Sequence, residues 1–452
     1  MGPSASLGAW VLAWAVIAVL IVLSRLRSHL AGAGLVAAYA LNFAMVHWIG
    51  AAIYLQPSYA RSDPDVVALG LQQATYAIAA FGVGSVLVAP RLASMVEAPR
   101  RLAAVAPARP PARTVIGIGM VVFLGLFAIL PKLPTVSALL SQGWILIIVG
   151  LALACWNAWH TRRREAFSGL LAATLLLPLF TVVTQGFIGF GTAAALAVMS
   201  FIASFFRPRW QIVLAGLVLG YLGLSVFVTY MRDRADIRAT VWGGESLPDR
   251  VGRVYQTVST LEWFNLSNTD HLDRIDERLN QNYLVGKSVT YIDEGLTGFA
   301  GGETVWNGIL GLVPRAIWPT KPVGAGSGAL VARFTGLAFA ESTSVGIGSV
   351  MEAYIGFGSA GIVGAFVLLG TVVALIDAAA ARRLRAGNWR GFLLWYLPGL
   401  NLLQVGGSFV EVTSAAGAAL VVAVVLIRLV RKAQTARTPR PRPTTWPVLT
   451  RA

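Results

Sequence analysis

The chain has 452 residues, of which 56% are apolar and only 12% charged, with a mean hydropathy of +0.69. Soluble chains carry about a quarter charged residues, so an ordinary soluble protein is excluded. The formal charge of +16 sits largely in short loops between apolar runs, which makes it a topology signature rather than a sign of a nucleic-acid partner.

A bilayer core about 30 Å thick takes roughly 20 apolar residues per helix. Eleven runs meet this need, at about 7–24, 31–53, 66–89, 114–131, 139–159, 168–184, 187–206, 211–230, 353–376, 391–409 and 412–430. The first has no basic residue before it and is followed by Arg25 and Arg27, so it reads as a retained span and not a cleaved signal. The fold class expected is therefore an all-α polytopic membrane protein. Its parts are spans 1–8 in residues 1–230, one large loop over 231–352, spans 9–11 in 353–430, and a Pro-, Thr- and Arg-rich tail over 431–452 that reads as disordered.

Orientation follows from the basic residues. Arg25 and Arg27, the 91–113 linker, Arg162 to Arg164, Arg207 and Arg209, the Arg382–Arg390 group, and Arg428 with the tail hold 23 of the 36 Lys and Arg. They fall in alternate loops, while the opposite short loops hold only Arg61 and Lys132. The positive-inside rule then puts the N-terminus outside and the C-terminus in the cytoplasm, with membrane lipids as one partner. Long loops cross regardless of charge, so the 231–352 segment is extracytoplasmic although it carries 14 of the 20 acids. Within it, Leu261, Phe264, Leu272, Ile275 and Leu279 form an apolar stripe at helical spacing. Residues 301–340 read as an interfacial or re-entrant segment, with Trp306 and Trp318 at headgroup depth.

Several patterns carry no site. Gly286-Lys287-Ser288 has Gln281 where a phosphate loop needs glycine, and Gly324, Gly326 and Gly328 do not match dinucleotide spacing. His29, His47, His160 and His271 form no ligand pattern, His47 reading as a packing residue. Asp293 and Glu294 have nothing nearby to complete a metal site, and Cys155 stands alone. No internal repeat is visible, which counts against transporters built from two similar halves.

Three places carry chemistry. Arg315 and Lys321 flank Trp318 in a Pro-rich phrase, where a guanidinium fork and a point charge could grip a lipid diphosphate or simply anchor the segment to headgroups. Arg232 and Arg234 emerge from the eighth span, with Arg238 a turn on; snorkelling and anion binding are both open, and Asp233 and Asp236 are available to neutralise them. Glu352 stands at the mouth of the ninth span on a small polar face with Gly348, Ser349 and Gly356. A carboxylate at membrane depth is costly and marks function by default. It is of the type that serves as a general base, unless a loop arginine pairs with it. Glu411 is a second, weaker outward carboxylate.

Two phrases lie close together: Pro314, Arg315, Trp318, Pro319, Lys321 and Pro322, then Ser342 to Ser344, Gly346, Gly348, Glu352, Ala353, Tyr354, Phe357 and Gly358. Together they resemble the Wzy-type polysaccharide repeat-unit polymerases within the O-antigen polymerase and ligase group. The matching motifs cover about 45 residues; the rest is similar in hydropathy alone, and the family often has more spans. The resemblance implies a glycosyltransferase-C-like fold in a bacterial inner membrane. It implies transfer of a growing glycan from a polyprenyl-diphosphate carrier to the terminal sugar of another lipid-linked repeat, in O-antigen or exopolysaccharide synthesis. By the same resemblance Glu352 would be the catalytic base, while Arg232, Arg234, Arg315, Trp318, Lys321 and Tyr354 would bind substrate. No cofactor or metal is needed if arginines neutralise the diphosphate, and a chain-length regulator and a flippase would be protein partners. A ligase of the same group, which typically uses an outer-loop histidine (here only His271), and a transporter are the competing readings.

Overall fold

A computed structural model describes residues 3–27, 32–96, 111–126, 134–206, 210–313, 318, 320, 326–339 and 345–437. Among these residues every regular element is helical. We number the helices α1 (Pro3–Arg27), α2 (Leu35–Leu55), α3 (Pro64–Ser94), α4 (Ala112–Gly125), α5 (Pro134–His160), α6 (Arg164–Leu175), α7 (Leu177–Gln185), α8 (Gly189–Phe206) and α9 (Trp210–Trp242). The loop expected to lie outside holds α10 (Leu247–Ser259), α11 (Thr269–Leu279), α12 (Asn282–Asp293), α13 (Glu303–Gly311) and α14 (Ser327–Thr335). The chain closes with α15 (Ser349–Arg385), α16 (Trp389–Asn401) and α17 (Phe409–Arg437).

Six stretches among the described residues are long and apolar enough to cross a membrane, namely Ser6–Arg25, Leu35–Leu55, Pro64–Ser94, Leu139–His160, Ser349–Arg385 and Phe409–Leu429. The α6–α7 pair adds a seventh if its 45° bend lies within one span. Of the remaining expected spans, two correspond to the shorter apolar helices Ala112–Gly125 and Gly189–Phe205. One is the apolar part of α9, and one is α16, interrupted internally by Pro398.

The core gathers around α3, which packs against α1, α12 and α15. Tyr39 of α2 stacks on Phe81 of α3 with centroids 4.4 Å apart, and Phe43 meets Phe366 of α15 edge-on at 5.9 Å. Towards the C-terminal end of α15, Asp377 is buried. It accepts from the backbone N–H groups of Ala33 and Leu35 at 2.7 and 3.0 Å and pairs with Arg25 at 3.1 Å. Such a buried charge persists only with this full complement of donors, and it staples the α1–α2 connection to α15.

The segment expected to lie outside, here termed the outer segment, does not simply cover the bundle; its α11–α12 turn inserts into it. Gln281 N–H donates to Val46 O at 2.9 Å, and the Asn282 side chain exchanges hydrogen bonds with His47, to the ring Nδ1 at 2.9 Å and to the carbonyl at 2.7 Å. Because Asn282 Oδ1 can only accept, the bond assigns the proton of neutral His47 to Nδ1. His47 is thus a packing residue, completely buried, whose partner lies 235 residues away in sequence. The helix crossing depends on glycine: a Cβ at Gly70 would collide with the carbonyl of Asn282, and one at Gly286 with that of Val66. Small residues let helix backbones approach this closely within a membrane.

The apolar stripe expected from Leu261 to Leu279 is helical only over α11, which buries Leu272, Ile275 and Leu279. Leu261 and Phe264 precede it in a non-helical stretch laid along α9. Three α9 hydroxyls spaced one turn apart satisfy its backbone: Thr229 accepts from Glu262 N–H (2.9 Å), Ser225 from Phe264 N–H (3.0 Å), and Tyr221 donates to Phe264 O (3.0 Å). A helix edge with hydroxyls four apart here does the work of a neighbouring strand. Further on, α13 lies against the first turns of α17, with Thr413 and Ser414 hydroxyls donating to Gly308 O and Gly311 O at 2.9 and 3.1 Å.

Candidate functional site

The site begins with a break in α15. Phe357 (φ −149°, ψ 26°) and Gly358 (φ 64°, ψ −156°) are not helical, so residues 349–356 form a short half-helix ahead of the long one. The conformation of Gly358 belongs to a region open in practice only to glycine. The break frees the carbonyl of Ile355, which accepts from Ala300 N–H at 2.7 Å, and Ser359 donates to Gln73 of α3 at 2.9 Å. The half-helix starts from Gly348, also at positive φ (71°). Ser349 N–H, at its first turn, donates to Val405 O at 2.9 Å. Two glycines therefore delimit the segment that carries Glu352.

Glu352 is only 6% exposed. Its Oε2 accepts from Phe409 N–H at 2.5 Å, at the N-terminus of α17, where backbone donors and the helix dipole favour a carboxylate. Its Oε1 is buried and has no hydrogen-bond partner, and no Arg, Lys or His lies within ion-pair distance, among the described residues. Ser349 Oγ and Gln281 Oε1 are likewise buried without partners among the described residues. Gln281 reaches this place because Gly348 and Gly406 leave room for its amide. Glu411, exposed one turn into α17, accepts from Ser408 N–H at 2.9 Å.

A basic cluster lies where α9 meets α11. The guanidinium of Arg234 is half-buried and faces those of Arg278 and Arg238; burial first, then these like charges, lower its pKa below the ordinary arginine range. Arg278 is lowered by burial and by Arg238 in the same way. Arg238 is backed by Phe187 and Trp242, its guanidinium 4.4 and 5.1 Å from their ring centres. No carboxylate pairs with Arg234, Arg238 or Arg278 among the described residues. Like-charged guanidiniums gathered without a counterion suit a polyanionic ligand.

Arg232 does not join them. It pairs with Asp233 at 2.7 Å and Glu262 at 2.8 Å, and donates to Thr260 O and Oγ1. Glu262 also takes Arg274 at 2.7 Å and His271 Nε2 at 3.2 Å, while His271 Nδ1 accepts from Asn265 N–H. Burial opposes ionisation of Glu262, but the hydrogen bonds from Arg232 and Arg274 outweigh it and hold its pKa down at about 2. Arg232 thus fastens the loop to α9. Tyr354 is buried, 5% exposed, with its ring edge-on to Phe299 at 6.1 Å, and so supports the half-helix from within. Trp318 is 38% exposed. Arg315, Lys321 and Ser342 to Ser344 lie outside the described residues.

Of the residues singled out from sequence, the fold brings Glu352 and Glu411 to one helix end and sets Arg234 apart from Arg232. It adds Arg278 and Gln281, three positions apart at the end of α11, which lead from the basic cluster to the half-helix. Neither carries a local signal, since each gains its meaning from partners 40 or more residues away. Comparison with protein-family models, with curated proteins and with solved structures gives no match.

Proposed function

We propose that this protein polymerises polyprenyl-diphosphate-linked oligosaccharide repeat units at the outer face of a bacterial cytoplasmic membrane, as an eleven-span, glycosyltransferase-C-like enzyme. The observation that carries the proposal is Glu352: a buried carboxylate with one oxygen held by a helix N-terminus and, among the described residues, neither a partner for the other oxygen nor a cation within ion-pair distance. That is the state expected of a group kept for proton transfer rather than for an ion pair.

Glu352 takes the proton of the acceptor sugar hydroxyl as that oxygen attacks the anomeric carbon of the donor. The bond from that carbon to the diphosphate breaks, and the diphosphate leaves with the electron pair. Arg234, Arg238 and Arg278 neutralise the charge that develops on it, the kind of preorganised electrostatic help that dominates such transfers. Arg315 and Lys321 supply further positive charge in the same loop. The resemblance in the two phrases supports the substrate class. Engagement of both ring nitrogens of His271 speaks against a ligase dependent on that histidine. A transporter would keep free charges within several spans, whereas Asp377 is paired and bonded.

The test is complementation in a deletion host, with surface polysaccharide resolved by length and membrane levels measured. Glu352→Gln at normal levels should leave single repeats in place of a ladder. A normal ladder from Glu352→Gln removes the assignment of the base, and normal glycan in the deletion itself removes the polymerase reading.

A further inference from the structure

A base as buried as Glu352 must return its proton to water before it can act again, and it needs a route. The chain itself fixes one exposed ionisable neighbour, Glu411. Phe409 N–H donates to Glu352 Oε2 and the preceding residue, Ser408, donates its N–H to Glu411 Oε2. Bonds of 2.5 and 2.9 Å to amides of consecutive residues keep the two carboxylates within roughly 9 Å, since one residue spans at most 3.8 Å. A chain of one or two water molecules, or a rotamer change of Glu411, bridges such a gap. Glu411 itself is exposed, its N–H directed at the Ser408 hydroxyl (3.3 Å) and its Oε1 only weakly held by Ser327 Oγ at 3.4 Å.

Two acids at one helix N-terminus are not in themselves a site. Here the second observation is Glu352 Oε1, more than nine-tenths buried and without a hydrogen-bond partner among the described residues, in a half-helix whose bounds are set by two glycines. Stabilisation of α17 alone would require only one carboxylate, and Glu411 with Ser408 already supplies a cap. Burying a second at the same end brings like charges together, a cost that structure alone does not repay.

We propose that Glu411 is the proton exit of Glu352: after each transfer the proton passes from the Glu352 carboxyl to the Glu411 carboxylate and then to outer-face water. The inference rests on Glu352 being the base. In each turnover the acceptor O–H bond breaks, an O–H bond forms on Glu352, that proton moves to Glu411, and water takes it; no other reactant is consumed. Glu411 acts through Glu352 and is a positioning residue, not a second base at the substrate.

The experiment is polymerisation of lipid-linked repeat units by purified full-length protein in lipid nanodiscs, in H2O and D2O. Wild type is compared with Glu411→Gln, Glu411→Asp and Glu352→Gln. Glu411→Gln should lower kcat by about a factor of ten or more with KM for the lipid-linked unit unchanged, and should raise the solvent isotope effect. Added acetate should restore its rate in proportion to concentration, and Glu411→Asp should fall between. A wild-type rate in Glu411→Gln, or a loss that neither acetate nor Asp relieves, overturns the relay and leaves Glu411 as a cap of α17. Full activity in Glu352→Gln instead overturns the assignment of the base, and an inert wild type overturns the polymerase reading.

Discussion

Glu262 ties together three basic residues of the outer segment: Arg232, Arg274 and His271 all meet its carboxylate. Its pKa in the folded protein, about 2, is below the ordinary 4.5. A carboxyl depressed in this way stabilises the fold above the unfolded value and loses that contribution as pH falls through the folded one. Limited proteolysis of the wild type should therefore show the 245–266 stretch becoming susceptible between pH 4.5 and about 2. Glu262→Gln should be more susceptible already at neutral pH and lose that dependence. The basic residues separate along the same line. Arg234→Ala and Arg278→Ala should raise KM for a diphosphate-linked substrate while leaving the melting temperature near wild type, because neither holds a carboxylate. Arg232→Ala should do the opposite, lowering thermal stability through loss of its pairs to Asp233 and Glu262. A similar KM effect from Arg232→Ala as from Arg234→Ala would place Arg232 at the ligand after all.

At the scale of the element, the break in α15 decides the geometry of the candidate base. Gly358→Ala forces a side chain into a region that costs about 1–3 kcal/mol for non-glycine residues. We expect a lower melting temperature in detergent and loss of long glycan at matched membrane levels. Straightening the helix would also deprive Ala300 of its acceptor on Ile355. An unchanged melting temperature in this variant would mean that the break relaxes freely and does not fix Glu352. The α11–α12 turn is a second such element. Gly70→Val and Gly286→Val each introduce a side chain where a facing carbonyl already sits. Either should separate α12 from α3 and expose the outer segment to protease, and a protected segment in both would show that the crossing tolerates bulk.

Across the whole molecule, the proposed site lies where the outer segment re-enters the bundle. Asn280 to Asn282 bring the end of α11 against α2, Gln281 reaches the start of α15, and α13 leans on α17. The candidate carboxylates are thus borne on helices anchored in the apolar core, while the basic cluster sits where α9 meets α11. The opposite end is closed by Asp377 and Arg25, whose bonds join the first helix connection to α15.

Much of this was legible in the sequence. Long apolar runs and their flanking arginines establish a helical membrane protein, because hydropathy is a local property that needs no partner. A carboxylate at a span mouth, as with Glu352, stands out for the same reason. The glycines of the second phrase are visible in sequence too, but their purpose is not: whether Gly358 continues a helix or breaks it depends on Ala300 being present to take the freed carbonyl. That Arg232 turns to Glu262 as well as to its neighbour Asp233, that Arg278 joins Arg234, and the place of Gln281 were decided by tertiary structure. Charges and amides are satisfied by whatever the fold brings within a few ångströms, and here Glu262, Arg278 and the glycines around Gln281 lie 30 or more residues from the groups they meet.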